Sequence, residues 1–329
     1  MQHFRLIKTQ EIIRTEDDIK NQFQSDLISN YRKILPIKLS NSTIPTVQSA
    51  LSNYLPWMQD NELYVWEVEP DDYDRFVQHL SVNLAKSTIK NYNCHLSNLY
   101  DWLASRKKRQ IKEKFGITVI NPIDYFNTPR YTPEENHLPE LPDQEVVNYY
   151  FQRERDELAK SIKANNKRKS YLIGRHLVAE QIMLKAGLRV EEVSNLNVNN
   201  IDFEYMKIII LRGKGDKDRI VDLSDSLATL LKWYIQKIYP LFNKKVSMHD
   251  TVPLFMSERG ARLSKKTTQS RMWKQQDKYN VPIDQRFSPH GLRRLFATNL
   301  YKELYLEKHP DPIFYVKSQL GHVYISTTL

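Results

Sequence analysis

Apolar positions along this chain recur mostly at helical spacing. TVQSALSNYLPWMQDNELY places Val47, Leu51, Tyr54, Leu55 and Met58 on one helix face. EPDDYDRFVQHL begins with proline and acids, the composition of a helix start, where exposed N–H dipoles favour negative charge. STIKNYNCHLSNLYDWLASRKKR opens on a serine cap and predicts a buried stripe of Ile89, Leu96, Leu99 and Leu103. Its other face shows Lys90, Asn91, His95 and Asn98, and its end is the run Arg106, Lys107, Lys108 and Arg109. In the C-terminal half, LPDQEVVNYYFQRERDEL, YLIGRHLVAEQIMLKA, SDSLATLLKWYIQKIY, KKTTQSRMWKQQDKY and SPHGLRRLFATNLYKEL also read as helices. MKIIIL and RIVDL flank RGKGDKD and predict a β-hairpin with a glycine-containing loop. The expected fold class is mainly α with a small antiparallel β-sheet.

One stretch has no periodicity. NPIDYFNTPRYTPEENHLPELP carries five prolines in 22 residues, a semi-extended linker composition that cannot continue a helix. The expected organisation follows from it. Residues 1–45 form a polar N-terminal extension with a helical piece near IKNQFQSDLISNYRKIL and no assignable function. Residues 46–120 form a helical domain, 121–140 the proline-rich linker, and 141–329 a second domain of mixed α+β character.

Charge narrows the partner. The chain of 329 residues has 49 Lys+Arg against 39 Asp+Glu, a formal charge of +10. Such an excess favours a polyanion, with nucleic acid ahead of a membrane surface. The single cysteine, Cys94, excludes an internal disulfide and a cysteine metal cluster; its helical surroundings predict a buried small hydrophobe. The start MQHFRLIKTQEIIRTEDD has no apolar signal core, and no run approaches 18 apolar residues. The expectation is a soluble cytoplasmic protein with no membrane partner.

Five of the eight glycines, Gly187, Gly213, Gly215, Gly291 and Gly321, fall in stretches with chemistry to offer. In AGLRVEEVSNL, Gly187 ends one helix, so Arg189 sits at a tight corner, and Glu192 three residues on can orient it. A guanidinium held this way presents a planar fork matched to phosphate oxygens. An interhelix salt bridge is the structural alternative. In RGKGDKDRI, glycines flank Lys214, an ammonium able to protonate a leaving oxygen, though such lysines are common in plain turns. In SPHGLRRLFATNL, Ser288 is a good cap and Pro289 a good first residue. They place His290 and Arg293 on one face at a helix N-terminus, where the alternative is a chance histidine on an amphipathic helix. In QLGHVYISTTL, Gly321 makes the bend that aims His322.

Together Arg189, Lys214, His290, Arg293 and His322 suit phosphoryl transfer by electrostatics, with side chains in place of metal ions. No paired carboxylates stand at a recognisable metal-binding spacing, so no metal and no cofactor are expected. Expected DNA contacts are Lys90, Asn91, His95, Arg106, Lys107, Lys108 and Arg109 in the first domain. In the second they are Arg212, Lys217, Lys265, Lys266 and Arg271. The 106–109 run also fits an ordinary solvated helix end.

Over roughly residues 46–329 the chain resembles the tyrosine recombinase (phage integrase) family. GLRVEEVSNL is similar to its first-arginine box, RGKGDKDRIVDL to its lysine hairpin, HGLRR to its His-x-x-Arg box and LGHVYISTT to its Gly-His box. The resemblance implies a helical core-binding domain followed by an α+β catalytic domain. It implies that Arg189 and Arg293 clamp the scissile phosphate and His322 adds a hydrogen bond. Lys214 would protonate the departing 5′-oxygen, and His290 would assist proton transfer at the nucleophile. The reaction implied is metal-free cleavage and rejoining through a 3′-phosphotyrosyl link. The implied function is site-specific recombination for a mobile element, as an integrase or transposase. Its partners would be double-stranded DNA at recombination sites and further copies of the chain, as a dimer or tetramer on DNA.

One departure stands out. The family's attacking tyrosine follows the Gly-His box by about nine residues, which from His322 falls just past Leu329. Tyr324 is too near the box to substitute, and Tyr301, Tyr305 and Tyr315 precede it as packing residues. The expectation is a shortened chain that binds DNA without cutting it. The alternatives are a non-catalytic DNA-binding protein derived from the same fold, and a type IB topoisomerase with the same active-site chemistry.

Overall fold

The computed structural model describes residues 15–41, 43–130, 140–211, 218–242 and 247–321. The chain divides into two compact units, Met1–Leu138 and Pro139–Leu329.

The first unit contains helices α1 (Glu16–Lys38), α2 (Ile44–Asp60), α3 (Pro70–Ser81), α4 (Lys86–Trp102) and α5 (Lys108–Phe115). Thr15 starts α1 by accepting from the Asp18 N–H while Asp18 accepts in return, satisfying two donors a helix start leaves open. Helix α1 buries Phe23, Leu27, Ile28, Tyr31 and Leu35, and these belong to one core with Val47 of α2 and Phe76 of α3. The helix thus shares the core of the segment that follows it, although its sequence lies in the stretch read as an extension. Tyr54 and Tyr100 share a 2.5 Å hydroxyl contact inside that core, and the Tyr73 hydroxyl donates to Asn93 at 2.9 Å.

Helix α4 buries Ile89, Leu96 and Leu99 as its spacing predicts, and Leu103 follows them inward. Two expectations here need correction. The basic run does not end the helix: Leu103–Lys107 form a π-helical turn, and α5 continues to a left-handed cap at Gly116. Cys94 is exposed, not buried. It lies one turn from Lys90 and one from Asn98, on the polar stripe rather than the apolar one.

The second unit contains α6 (Gln144–Lys163), α7 (Lys167–Ala186), α8 (Val190–Asn195), α9 (Asp225–Trp233), α10 (Lys265–Lys278), α11 (Pro289–Leu306) and α12 (Pro312–Leu320). Its sheet has strands β1 (Ile201–Asp202), β2 (Lys207–Ile210) and β3 (Arg219–Asp222), antiparallel in the order β1-β2-β3. In the predicted hairpin Ile208 faces Val221 and Ile210 faces Arg219. Strand β1 was not predicted, because two residues show no alternation.

Helix α7 runs through the middle, packed by α6 and α11 and buried on nearly every side. A helix enclosed all round must satisfy its polar residues internally. Glu180 accepts from the Tyr150 hydroxyl at 2.9 Å, and Glu154 of α6 accepts from Arg271 Nη2 at 2.6 Å, Gln275 at 2.7 Å and the Tyr279 hydroxyl at 2.7 Å. Arg271 Nη1 lies 3.7 Å from Glu180. Arg271 is therefore an internal counter-ion and not a DNA contact as expected. Helix α10 is polar on both faces, so its pattern hid which side faces the core. No helix among the described residues is long and apolar enough to cross a membrane.

Candidate active site

Two glycines turn the backbone where α7 and α12 stop. Gly187 and Gly321 both take φ +64°, the left-handed region that glycine enters without a Cβ penalty. Space is short at both turns. A Cβ on Gly187 would lie 2.3 Å from Phe296 Cδ1, and one on Gly321 would lie 2.7 Å from Arg219 Cδ. Gly187→Ala is expected to destabilise the second unit by about 2–3 kcal/mol, from backbone strain and overpacking together. Urea denaturation measures it, and a loss below about 1 kcal/mol would mean that Phe296 yields freely.

The turn at Gly187 delivers Arg189 as the cap residue of α8. Its backbone N–H and its Nη1 both donate to Glu192, at 2.7 and 2.9 Å, so the pairing read from the i, i+3 spacing is present. Glu192 holds more than that. Arg219, at the head of β3, donates Nη1 to Oε1 at 2.6 Å and Nη2 to Oε2 at 2.7 Å. Four donors now occupy the acceptor positions a carboxylate offers.

Helix α11 supplies the other side. Ser288 caps it by accepting from the Gly291 N–H at 3.1 Å, and Pro289 takes its first turn; Arg293 is then buried, while His290, three residues before it, stays exposed. Arg293 Nη1 lies 3.6 Å from Glu192 Oε2. Its guanidinium is 3% exposed and donates to the carbonyls of Gly187 at 2.6 Å and Leu320 at 2.5 Å. It thereby ties together the two glycine turns, one leading to Arg189 and the other to His322.

Electrostatics at this convergence are lopsided. Three guanidiniums face one carboxylate, which leaves net positive charge for an anion to neutralise. Burial, and next the charge of Arg189, push the Arg293 pKa down to about 9 against the pull of Glu192. Desolvation, then Arg294, Arg293 and Arg189, lower the His290 pKa from its ordinary value of 6.5. This shift favours the neutral ring, the form that accepts a proton.

Burial acts to raise the Glu192 pKa, but the hydrogen bonds and charge of Arg219, and then Arg189, outweigh it and bring it to about 2 from an ordinary 4.5. A depressed carboxylate pKa stabilises the fold above the unfolded value and loses that contribution as pH falls through the folded value. Roughly 3 kcal/mol should therefore disappear between about pH 5 and pH 2. Glu192→Gln should flatten that part of the stability–pH curve, and an unchanged curve would mean the carboxylate is not held as described.

The structure thus brings Arg189, His290 and Arg293 together, with Glu192 beside both arginines. Lys214, Arg212, Lys217 and His322 lie outside the described residues; Leu211, Asp218 and Gly321 are the described residues that border them in the chain. Lys266 is exposed, and Lys265 pairs with Glu191. In the first unit Lys90, Asn91, Arg106, Lys108 and Arg109 are exposed, His95 is half-buried, and Lys107 lies over the Trp102 ring. Tyr301 and Tyr305, expected as packing residues, stack on each other at the surface. Tyr315 hydrogen-bonds Asp222 of β3. Among the described residues no cluster of three or more His, Cys, Asp or Glu could hold a metal ion.

The phage integrase family profile matches residues 154–329, the span that holds Arg189, Glu192, Arg219, His290 and Arg293. The chain belongs to the phage integrase family. Among its curated relatives, tyrosine recombinase XerD of Oceanobacillus iheyensis is 30% identical over 88% of this chain and 86% of its own. Tyrosine recombinase XerA of Pyrococcus horikoshii is 26% identical over 79% of this chain and 88% of its own. Among solved structures, XerH site-specific recombinase in a post-cleavage complex with palindromic difH substrate aligns with a TM-score of 0.67 at 21% identity. That alignment covers 93% of this chain and 79% of that one. A lambda integrase dimer bound to a COC′ core site aligns with a TM-score of 0.63 at 13% identity, over 92% and 93%. The family and these structural relatives share the observed architecture, mainly α with a small antiparallel sheet.

Sequence reasoning missed Arg219, Gln319 and Asp222. Each lies close to a recognised motif, but none has a spacing relation to the residue it contacts. The signal was present only as a buried-strand pattern directly after the lysine loop.

Proposed function

We propose that this protein is a site-specific DNA recombinase of the integrase or transposase type, working on double-stranded DNA at recombination sites as a dimer or tetramer. The observation that carries the reading is the convergence of Arg189 and Arg293 on Glu192, with His290 on the first turn of the helix that bears Arg293. Two fixed guanidiniums match the non-bridging oxygens of a phosphodiester and stabilise the charge that grows on them in the transition state.

In the proposed reaction a tyrosine oxygen attacks phosphorus and its proton passes to His290. The bond from phosphorus to the 5′-oxygen breaks, Lys214 protonates that oxygen, and His322 donates to a non-bridging oxygen. A 3′-phosphotyrosyl ester results. Attack by a partner strand's 5′-hydroxyl reverses the steps, so one phosphodiester replaces another and no ATP is needed. The attacking tyrosine is expected about nine residues after His322. Relatives support the DNA assignment: XerH was solved on difH, and the Tn1549 transposon integrase on circular intermediate DNA.

The test is a nicked suicide duplex carrying the cognate site. The chain extended through a tyrosine at that distance should form a covalent protein–DNA adduct. Site-selective binding with no adduct would instead support a non-catalytic binder of the same fold, and relaxation of plasmids lacking any cognate site would support a topoisomerase. Affinity should also fall at least about 100-fold between 50 and 200 mM salt, as lysines and arginines displace counterions. A flat salt response would sink the clamp picture.

A further inference from the structure

Arg219 is more deeply committed than either arginine of the proposed clamp requires. Its side chain is 12% exposed and bridges both oxygens of Glu192. Its Nε donates to the Gln319 carbonyl at 3.2 Å, and its Cδ fills the space that a side chain at Gly321 would need. The strand behind it is fastened to α12. Gln319 Nε2 donates to Asp222 Oδ2 at 2.7 Å, the Asp222 N–H donates to Gln319 Oε1 at 2.9 Å, and the Tyr315 hydroxyl donates to the same carboxylate. Arg219 therefore touches the Arg189 corner through Glu192, stands at the exit of the loop bearing Lys214, and packs against the turn before His322.

We infer that Arg219 is a positioning residue of the recombinase site, one that together with Arg189 saturates Glu192, so that Arg293 stays beside the carboxylate without being captured by it. The inference rests on the recombinase reading above. A carboxylate has about four acceptor positions, and here Arg219 fills one on each oxygen while Arg189 fills the other two. Take Arg219 away and two positions open on a buried anion. Arg293 Nη1 is already 3.6 Å from Oε2, so a small swing turns a charge contact into a hydrogen bond. That swing draws the guanidinium off the Gly187 and Leu320 carbonyls and away from a bound phosphate. Lysine cannot take over the task, because one ammonium does not span both oxygens in plane.

A buried bidentate pair could also serve stability alone. The two roles part in a double-mutant comparison using inorganic phosphate as the probe, with binding followed by NMR through the His290 ring protons. Arg219→Gln should weaken phosphate about tenfold or more. Arg219→Lys keeps the buried charge balanced, so it folds even where glutamine does not, and it should weaken phosphate similarly. Adding Glu192→Gln to Arg219→Gln should restore most of the affinity, since a neutral amide no longer draws in Arg293. Unchanged phosphate affinity in both Arg219 variants, or losses that simply add in the double variant, would overturn the inference.

In the tyrosine-extended chain, Arg219→Gln should slow covalent capture about 100-fold while duplex affinity stays within about threefold. An equal loss of duplex affinity would make Arg219 a direct DNA contact and also overturn the inference. Should the tyrosine-extended chain bind phosphate with this Arg219 dependence yet form no adduct, the recombinase reading fails and the positioning role stands.

Discussion

Alanine at Arg189 or at Arg293, in the tyrosine-extended chain, is expected to reduce covalent capture of a nicked duplex by about 10³-fold or more while duplex affinity falls less than about tenfold. The asymmetry has a physical basis. Affinity is spread over many basic side chains, and each contributes modestly through counterion release. Transition-state charge on one phosphate is met by a few fixed donors in a site that excludes much of the water, where each matters far more. The two variants should differ in stability. Arg293→Ala leaves the buried carbonyls of Gly187 and Leu320 without their donor and should cost about 2–4 kcal/mol. Arg189→Ala removes one side-chain bond to a carboxylate that Arg219 still holds, and should cost about 1 kcal/mol or less. Capture assays and urea titrations on both variants separate the chemical loss from the structural one. Normal capture by either would remove that arginine from the phosphate.

Arg271→Met is expected to destabilise the second unit by about 3–5 kcal/mol, the largest stability effect foreseen here. Glu154 and Glu180 are fully buried, and burial already raises the Glu180 pKa well above the usual carboxylate range. Without the guanidinium at 2.6 Å, the buried Glu154 carboxylate loses its counter-ion. Replacing Glu154 and Glu180 with glutamine in the Arg271→Met background should return much of the loss, since removing all charges differs from orphaning one. Denaturation midpoints decide the matter, and a change below about 1 kcal/mol on Arg271→Met would mean that the ion pair is open to water.

Much of the site was legible because its residues are presented by strong local signals. A Ser-Pro start pins the first turn of α11, which sets His290 and Arg293 on one edge whatever else the protein does. Gly187 must end α7, which puts Arg189 at a corner with Glu192 one turn on. Each of these depends on backbone geometry within about four residues, where hydrogen bonding and φ preference decide the outcome. The predicted stripe of α4 succeeded for the same reason, since a helix with one apolar face has a single way to lie on a core.

The misreadings share a cause as well. Cys94 was placed inside because its segment is helical, but its neighbours one turn away, Lys90 and Asn98, put it on the wet face. Arg271 was placed outside because α10 shows charge all round, yet the side facing α6 and α7 is lined by carboxylates and hydroxyls. The run 106–109 looked like a helix end because nothing in its composition announces a π-helical turn.

By itself the sequence determined most of the helices, the corners that present Arg189 and Arg293, and the family to which the chain belongs, because these follow from interactions between near neighbours. Only the tertiary structure decided which charges meet. Glu192 and Arg219 stand 27 residues apart, and Arg293 lies further along still. They share one carboxylate because burying α7 forces α8, β3 and α11 to close over the same few ångströms, where a charge left without its partner would be too costly to keep.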